Sequence, residues 1–149
     1  MADKNKDKLG VTKLHFYVLI LGGVLMFASS NIEFGSVDSF IGIMAGTIFF
    51  TALLVERYTR KIEKHRENDP KQHGLKGALI GGLIGGGFSA VISLHYYFFT
   101  YNIPLIDKPM DTWSIIFLIP IGTITGVLVG YFLNYITMKR DLEPILPTE

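Results

Sequence analysis

Two histidines, one glutamate and one glycine-rich stretch are where residue type and spacing in this chain would matter to chemistry. His15 and His95 are the histidines inside its apolar runs, and paired imidazoles commonly ligate haem iron or a transition metal. Their positions argue against a shared ligand. His15 lies two residues past Lys13, while His95 lies nineteen past Lys76, or ~28 Å along a helix rising ~1.5 Å per residue. They therefore read as interfacial histidines in opposite leaflets, beside tyrosines. Glu56 has the chemistry of a coupling carboxylate, but it stands among arginines at the charged end of its run and is expected to be a solvated helix continuation. No Asp, Glu, Lys or Arg falls near the centre of any apolar run. An intramembrane charge is costly and kept for function, so this counts against proton-coupled transport. Ser, His and Asp residues are too scattered in depth for a triad, and the acids Glu33, Asp38, Asp107 and Asp111 read as solvated loop charges. With no cysteine in the chain, disulfides and thiolate metal sites are excluded. No catalytic residue, metal or cofactor is expected.

The glycine-rich stretch is "GALIGGLIGGG" at 77–87, with six glycines in eleven positions. A phosphate-cradling loop would need G-K-[ST] after the glycines, and none follows. "GGGFSA" at 85–90 formally satisfies G-x-G-x-x-A, with Asp107 downstream as a ribose-binding acid. That fingerprint belongs to a strand–turn–helix unit in water, whereas this segment is embedded in a membrane-length apolar run. The helical reading has firmer spacing. Gly77, Gly81, Gly85, Ser89 and Ser93 recur every four residues, with Gly82, Gly86 and Ala90 as a second stripe beside them. Gly122, Gly126 and Gly130 repeat the device, and Gly42 and Gly46 echo it. Lipid tails are as apolar as leucine, so membrane helices associate through close backbone approach across small residues rather than through hydrophobicity. These positions are expected to be GxxxG-type, glycine-zipper packing surfaces. One stripe of the third helix would meet the fourth. The other meets the first or second helix, or faces another protein chain.

The elements that position these residues follow from length. The chain of 149 residues is 49% hydrophobic and 18% charged, and its charges are segregated. A bilayer core of ~30 Å needs about 20 helical residues, and four runs approach that, at about 14–30, 39–55, 75–99 and 113–136. The expected fold is all-α: a polytopic membrane protein, one domain over 1–149, forming a bundle of four transmembrane helices. A charged connection, 56–76, joins the middle pair, and polar tails at 1–13 and 139–149 flank the domain. Glu56 with Arg60, and Glu63 with Arg66, are helix-spaced pairs, so the second helix should outrun the membrane until "NDP" stops it. Pro120 interrupts the fourth run and predicts a kink or local unwinding, with Thr123 and Thr125 placed to rebond freed backbone groups.

Of fourteen Lys and Arg residues, thirteen flank the runs on one side: Lys4, Lys6, Lys8, Lys13, the cluster from Arg57 to Lys76, and Lys139 with Arg140. Only Lys108 falls on the other. This positive-inside bias places both termini in the cytoplasm of a multi-pass cell-membrane protein, with Tyr96, Tyr97, Tyr101 and Trp113 as an outer aromatic belt. The lysines, apolar run and "ASS" (28–30) of the first span also fit a cleavable leader. The halves show a faint repeat: Lys13 with Gly22 and Gly23 is spaced like Lys76 with Gly85 and Gly86, and "AGTI" (45–48) parallels "IGTI" (121–124). A net charge of +1 argues for no nucleic-acid partner. Arg57, Arg60, Lys61 and Lys64 are candidate contacts for anionic lipid headgroups. The expected function is non-enzymatic: an accessory subunit or partner-regulating component of a membrane complex, with the bilayer and another membrane protein or a second copy as partners. The alternative is a small self-associating transporter or channel, its path lined by Pro120 and the glycine stripes.

Overall fold

The computed structural model describes residues 12–31, 38–62, 69–102 and 112–140, with side chains at 12–29, 40–62, 69–95 and 116–140. Within these the chain is all-helical: α1 (Lys13–Asn31), α2 (Asp38–Ile62), α3 (Pro70–Asn102) and α4 (Thr112–Lys139). Three helices are long and apolar enough to cross a membrane, over Phe40–Ile62, Pro70–His95 and Ile116–Lys139, while α1 carries a shorter apolar stretch, Lys13–Ser29.

Local chemistry sets the helix starts. The Thr12 hydroxyl accepts the backbone N–H of His15 at 3.5 Å, the position of an N-cap. At α3 the Asp69 carboxylate accepts the Lys71 N–H at 2.9 Å, and Pro70 follows at the first helical position, where its missing N–H costs nothing. Asp69 and Pro70 of the "NDP" motif thus open α3, while the expected end of α2 at that motif lies outside the described residues. Much of the charged connection is helix, since 56–62 belong to α2 and 70–76 to α3.

Packing is up-down-up-down. A Cβ added at Gly77, Gly81 or Gly85 would strike the carbonyl oxygen of Gly130, Gly126 or Gly122 respectively, and the clash is reciprocated from α4. Each step of four along α3 meets a step of four back along α4, so the two backbones run antiparallel and in direct contact. Gly22 seats α1 on α2, where an added Cβ would lie 2.8 Å from the Phe49 nitrogen and 3.1 Å from the Ala45 oxygen. Gly42 faces Ser29 of α1, and Gly46 lies under the Phe88 ring of α3. In the faint repeat, Gly22 and Gly85 correspond, and each touches the backbone of the following helix. α1 leans on α2 and barely meets α4.

The bundle is polar within and apolar without. Among the described residues twelve polar side chains are buried against seven hydrophobic ones, while Phe16, Leu21, Phe27, Leu83, Phe117 and Phe132 are among the large apolar side chains left exposed. In water this would be inverted, because exposing so much apolar area forfeits ~25 cal/mol per Å². α4 runs unbroken through Pro120. The local unwinding expected there is not seen, and the Thr123 hydroxyl donates to the Ile119 carbonyl at 2.8 Å rather than to that of Ile116.

Every described Lys and Arg lies at one end of the bundle: Lys13 at the start of α1, Arg57, Arg60 and Lys61 at the end of α2, Lys71 and Lys76 at the start of α3, and Lys139 and Arg140 at the end of α4. Lys4, Lys6, Lys8, Glu33, Glu63, Lys64, Arg66, Asp107, Lys108 and Asp111 lie outside the described residues, as do the side chains of Asp38, Tyr96, Tyr97, Tyr101 and Trp113.

Candidate functional site

At this basic end the four helices bring together a buried polar cluster. It starts from Glu56, in the last two turns of α2. The carboxylate is not solvated: Glu56 is 4% exposed, which overturns the expectation that it continues a wet helix. Oε1 accepts a hydrogen bond from Arg60 Nε at 2.6 Å, one turn on. Oε2 lies 3.1 Å from His73 Nε2. An ionised carboxylate only accepts, so His73 Nε2 carries the proton and donates it. The Arg60 side chain is partly exposed while that of His73 is wholly enclosed. A charge taken from water is tolerable only when paired and hydrogen-bonded, and Glu56 meets both conditions.

His15 lies near the start of α1, fully buried, with its Nδ1 2.7 Å from the Thr12 hydroxyl. It lies at the same end of the bundle as His73, while His95 sits exposed toward the far end of α3. Beside the carboxylate, the Asn134 amide of α4 donates to the Thr59 hydroxyl at 2.7 Å, and that hydroxyl donates back to the Val55 carbonyl at 2.8 Å. Asn134 Oδ1, Thr137 Oγ1 and His15 Nε2 are buried without a partner among the described residues. Buried polar atoms are nearly always satisfied by protein or by ordered water. Among the described residues no group of three His, Asp or Glu side chains is arranged to hold a metal ion.

A signal for the missed residues was present. Extending the α3 stripe back one step of four from Gly77 reaches His73, and extending the α4 stripe forward from Gly130 reaches Asn134. The steps of four at Thr47, Thr51, Val55 and Thr59 form the facing row on α2, all buried. Thr47 Oγ1 and Thr51 Oγ1 likewise lack partners among the described residues.

The remaining sequence-selected residues fall as follows. Gly77, Gly81, Gly85 and Ser89 face α4, with the Ser89 hydroxyl donating to the Gly85 carbonyl at 2.7 Å. Gly82 and Gly86 also turn toward α4, where an added Cβ would lie 2.8 Å from Val127 Cγ2 or from Thr123 Oγ1. Both stripes therefore meet α4, and the first also touches α2, where an added Cβ at Gly85 would lie 2.8 Å from Thr47 Cγ2. Ser93 is buried near the far end of α3. Pro120 is exposed, away from the α3 seam. Arg57 and Lys61 are exposed, and Arg60 is committed to Glu56. The cluster's flank carries an aromatic ladder in which Tyr131 and Tyr135 stack at 5.8 Å with Lys139 5.6 Å above the Tyr135 ring. Gly74 seats that ladder on α3, as an added Cβ would lie 3.0 Å from Tyr131.

Compared with family models, curated proteins and solved structures, the chain matches none of them.

Proposed function

We propose that this chain is a non-enzymatic integral membrane protein with four spans and both termini cytoplasmic, acting as an accessory subunit or partner-regulating component of a cell-membrane complex. The distribution of polarity carries this reading. Glu56 is bonded to Arg60 and His73, Asn134 to Thr59, and the α3 and α4 glycines meet each other. What the molecule presents outward along its length is large apolar side chains. The glycine contact builds the platform, and the outer faces of α1 and α2 are the surfaces offered to a partner. α1, at ~28 Å for its 19 residues, approaches the ~30 Å of a bilayer core and packs antiparallel to α2, which supports a fourth span. The clustering of basic residues at one end supports the cytoplasmic placement of the termini. Co-purification from native membranes, followed by mass spectrometry, tests the proposal: a different membrane protein should recur at fixed stoichiometry. Recovery of this chain alone, or of symmetric copies of it, overturns it.

A second reading has one observation in its favour. Thr47, Thr51, His15, Asn134 and Thr137 place inside the bundle polar atoms that lack a partner among the described residues, which suits a transporter or channel carrying a small polar solute or proton past Glu56 and His73. Flux into liposomes containing only this chain, lost in Glu56→Gln, would establish it. Tight liposomes would dismiss it.

A further inference from the structure

Between α2 and α3, on the outer face of the bundle, lies an apolar groove of about 500 Å³. Leu54, Tyr58 and Ile62 form one wall, and Ile80, Ile84 and Gly87 the other. The groove closes at mid-bundle where the Phe50 and Phe88 rings meet, 5.1 Å between centroids, and runs toward the basic end. From Phe50 to Ile62 the α2 wall covers ~18 Å at ~1.5 Å per residue, close to the ~15 Å of one leaflet in a ~30 Å core. The α3 wall is open at Gly87, next to the closed end, where an added Cβ would meet nothing within 4 Å. Toward the basic end, Arg57 and Lys61 do not line the groove but are exposed next in sequence to its lining residues Tyr58 and Ile62, and half-buried Lys76 precedes Ile80 by one turn on α3.

We infer that this groove seats one anionic phospholipid, an acyl chain lying along Leu54, Tyr58 and Ile84 and the phosphate meeting Arg57 and Lys61. The inference rests on the proposal that the chain spans the bilayer. Length, apolar lining and closure at mid-depth fit a single-leaflet chain, and the basic mouth selects the headgroup charge. A second copy of the protein would bring its own basic residues to the same mouth and be repelled there.

The test is native mass spectrometry of detergent-purified protein titrated with dioleoyl-phosphatidylglycerol or dioleoyl-phosphatidylcholine. Wild type should retain one phosphatidylglycerol in preference to phosphatidylcholine. The double variant Arg57→Ala/Lys61→Ala should lose roughly ten- to thirtyfold in phosphatidylglycerol affinity, since each basic residue near an anionic surface contributes ~1 kcal/mol. Gly87→Phe should fill the groove and release either lipid while melting within a few degrees of wild type. Equal retention of both lipids, or undiminished phosphatidylglycerol binding by Gly87→Phe, overturns the lipid seat. So does a dimer that Gly87→Phe dissolves. Phase partition in Triton X-114 separates the two failures. Protein that enters the detergent phase without lipid preference sinks only the seat, whereas protein that stays in the aqueous phase sinks the membrane reading itself.

Discussion

Glu56 is the residue on which the basic end of the bundle is organised, and its two partners contribute differently. Arg60 comes from the same helix and holds its charge partly in water, as an i,i+4 pair would on any surface helix. His73 comes from α3 and is enclosed, so its bond crosses between helices and carries tertiary information. Removing one member of a buried hydrogen bond leaves the other desolvated and unpaired, at a cost of about 1–3 kcal/mol. His73→Ala should therefore lower stability in detergent unfolding by about that amount, while Arg57→Ala at an exposed position should stay within about 0.5 kcal/mol of wild type. A double-mutant cycle over Glu56 and His73 should return a coupling above ~0.5 kcal/mol. Independent, additive losses would mean that the contact does not hold the two helices.

Among the elements, α3 and α4 form the closest pair, and their contact makes opposite forecasts for neighbouring glycines. Alanine is preferred over glycine in a helix by ~1 kcal/mol, so Gly87→Ala, with open space at its Cβ, should be neutral or mildly stabilising. Gly81→Ala drives a methyl into the Gly126 carbonyl, and a backbone atom has no rotamer by which to yield. Overpacking of this kind costs about 1–3 kcal/mol, so the melting temperatures of the two variants should move in opposite directions. If both rise, the helices are not in backbone contact. The start of α3 makes a separate forecast. Asp69→Ala removes the cap on Lys71, should cost about 0.5–2 kcal/mol, and should loosen His73 next to it. Asp69→Ser restores a capping oxygen and should recover most of the loss.

For the whole molecule, the proposed orientation is open to a direct measurement because the chain has no cysteine. Lys71→Cys introduces a single thiol at an exposed position on the basic end. A membrane-impermeant maleimide should leave it unlabelled in intact cells and label it in inverted vesicles. Labelling from outside would reverse the proposed topology. Taken together, a backbone seam between α3 and α4, a second hairpin leaning on it through α2, and a polar clasp at one end describe a molecule held by its inside, with large apolar side chains on its outside.

Periodicity and composition alone determined the apolar runs, the segregation of basic residues and the rows of small side chains, because each is a property of nearest neighbours along a helix. The same reasoning followed only the small residues: it ended the third-helix stripe at Gly77, one step short of His73 beyond that run, and the fourth-helix stripe at Gly130, one step short of Asn134 within its run, and it set Glu56 in water. Burial is not a local property. Glu56 is dry because α3 begins where α2 ends and places His73 against it, while Asn134 of α4 bonds Thr59 one turn on and His15 is buried at the same end, where α1 begins. Only the tertiary structure could decide that, since the ~3.6-residue period says which residues share a face but not which faces meet.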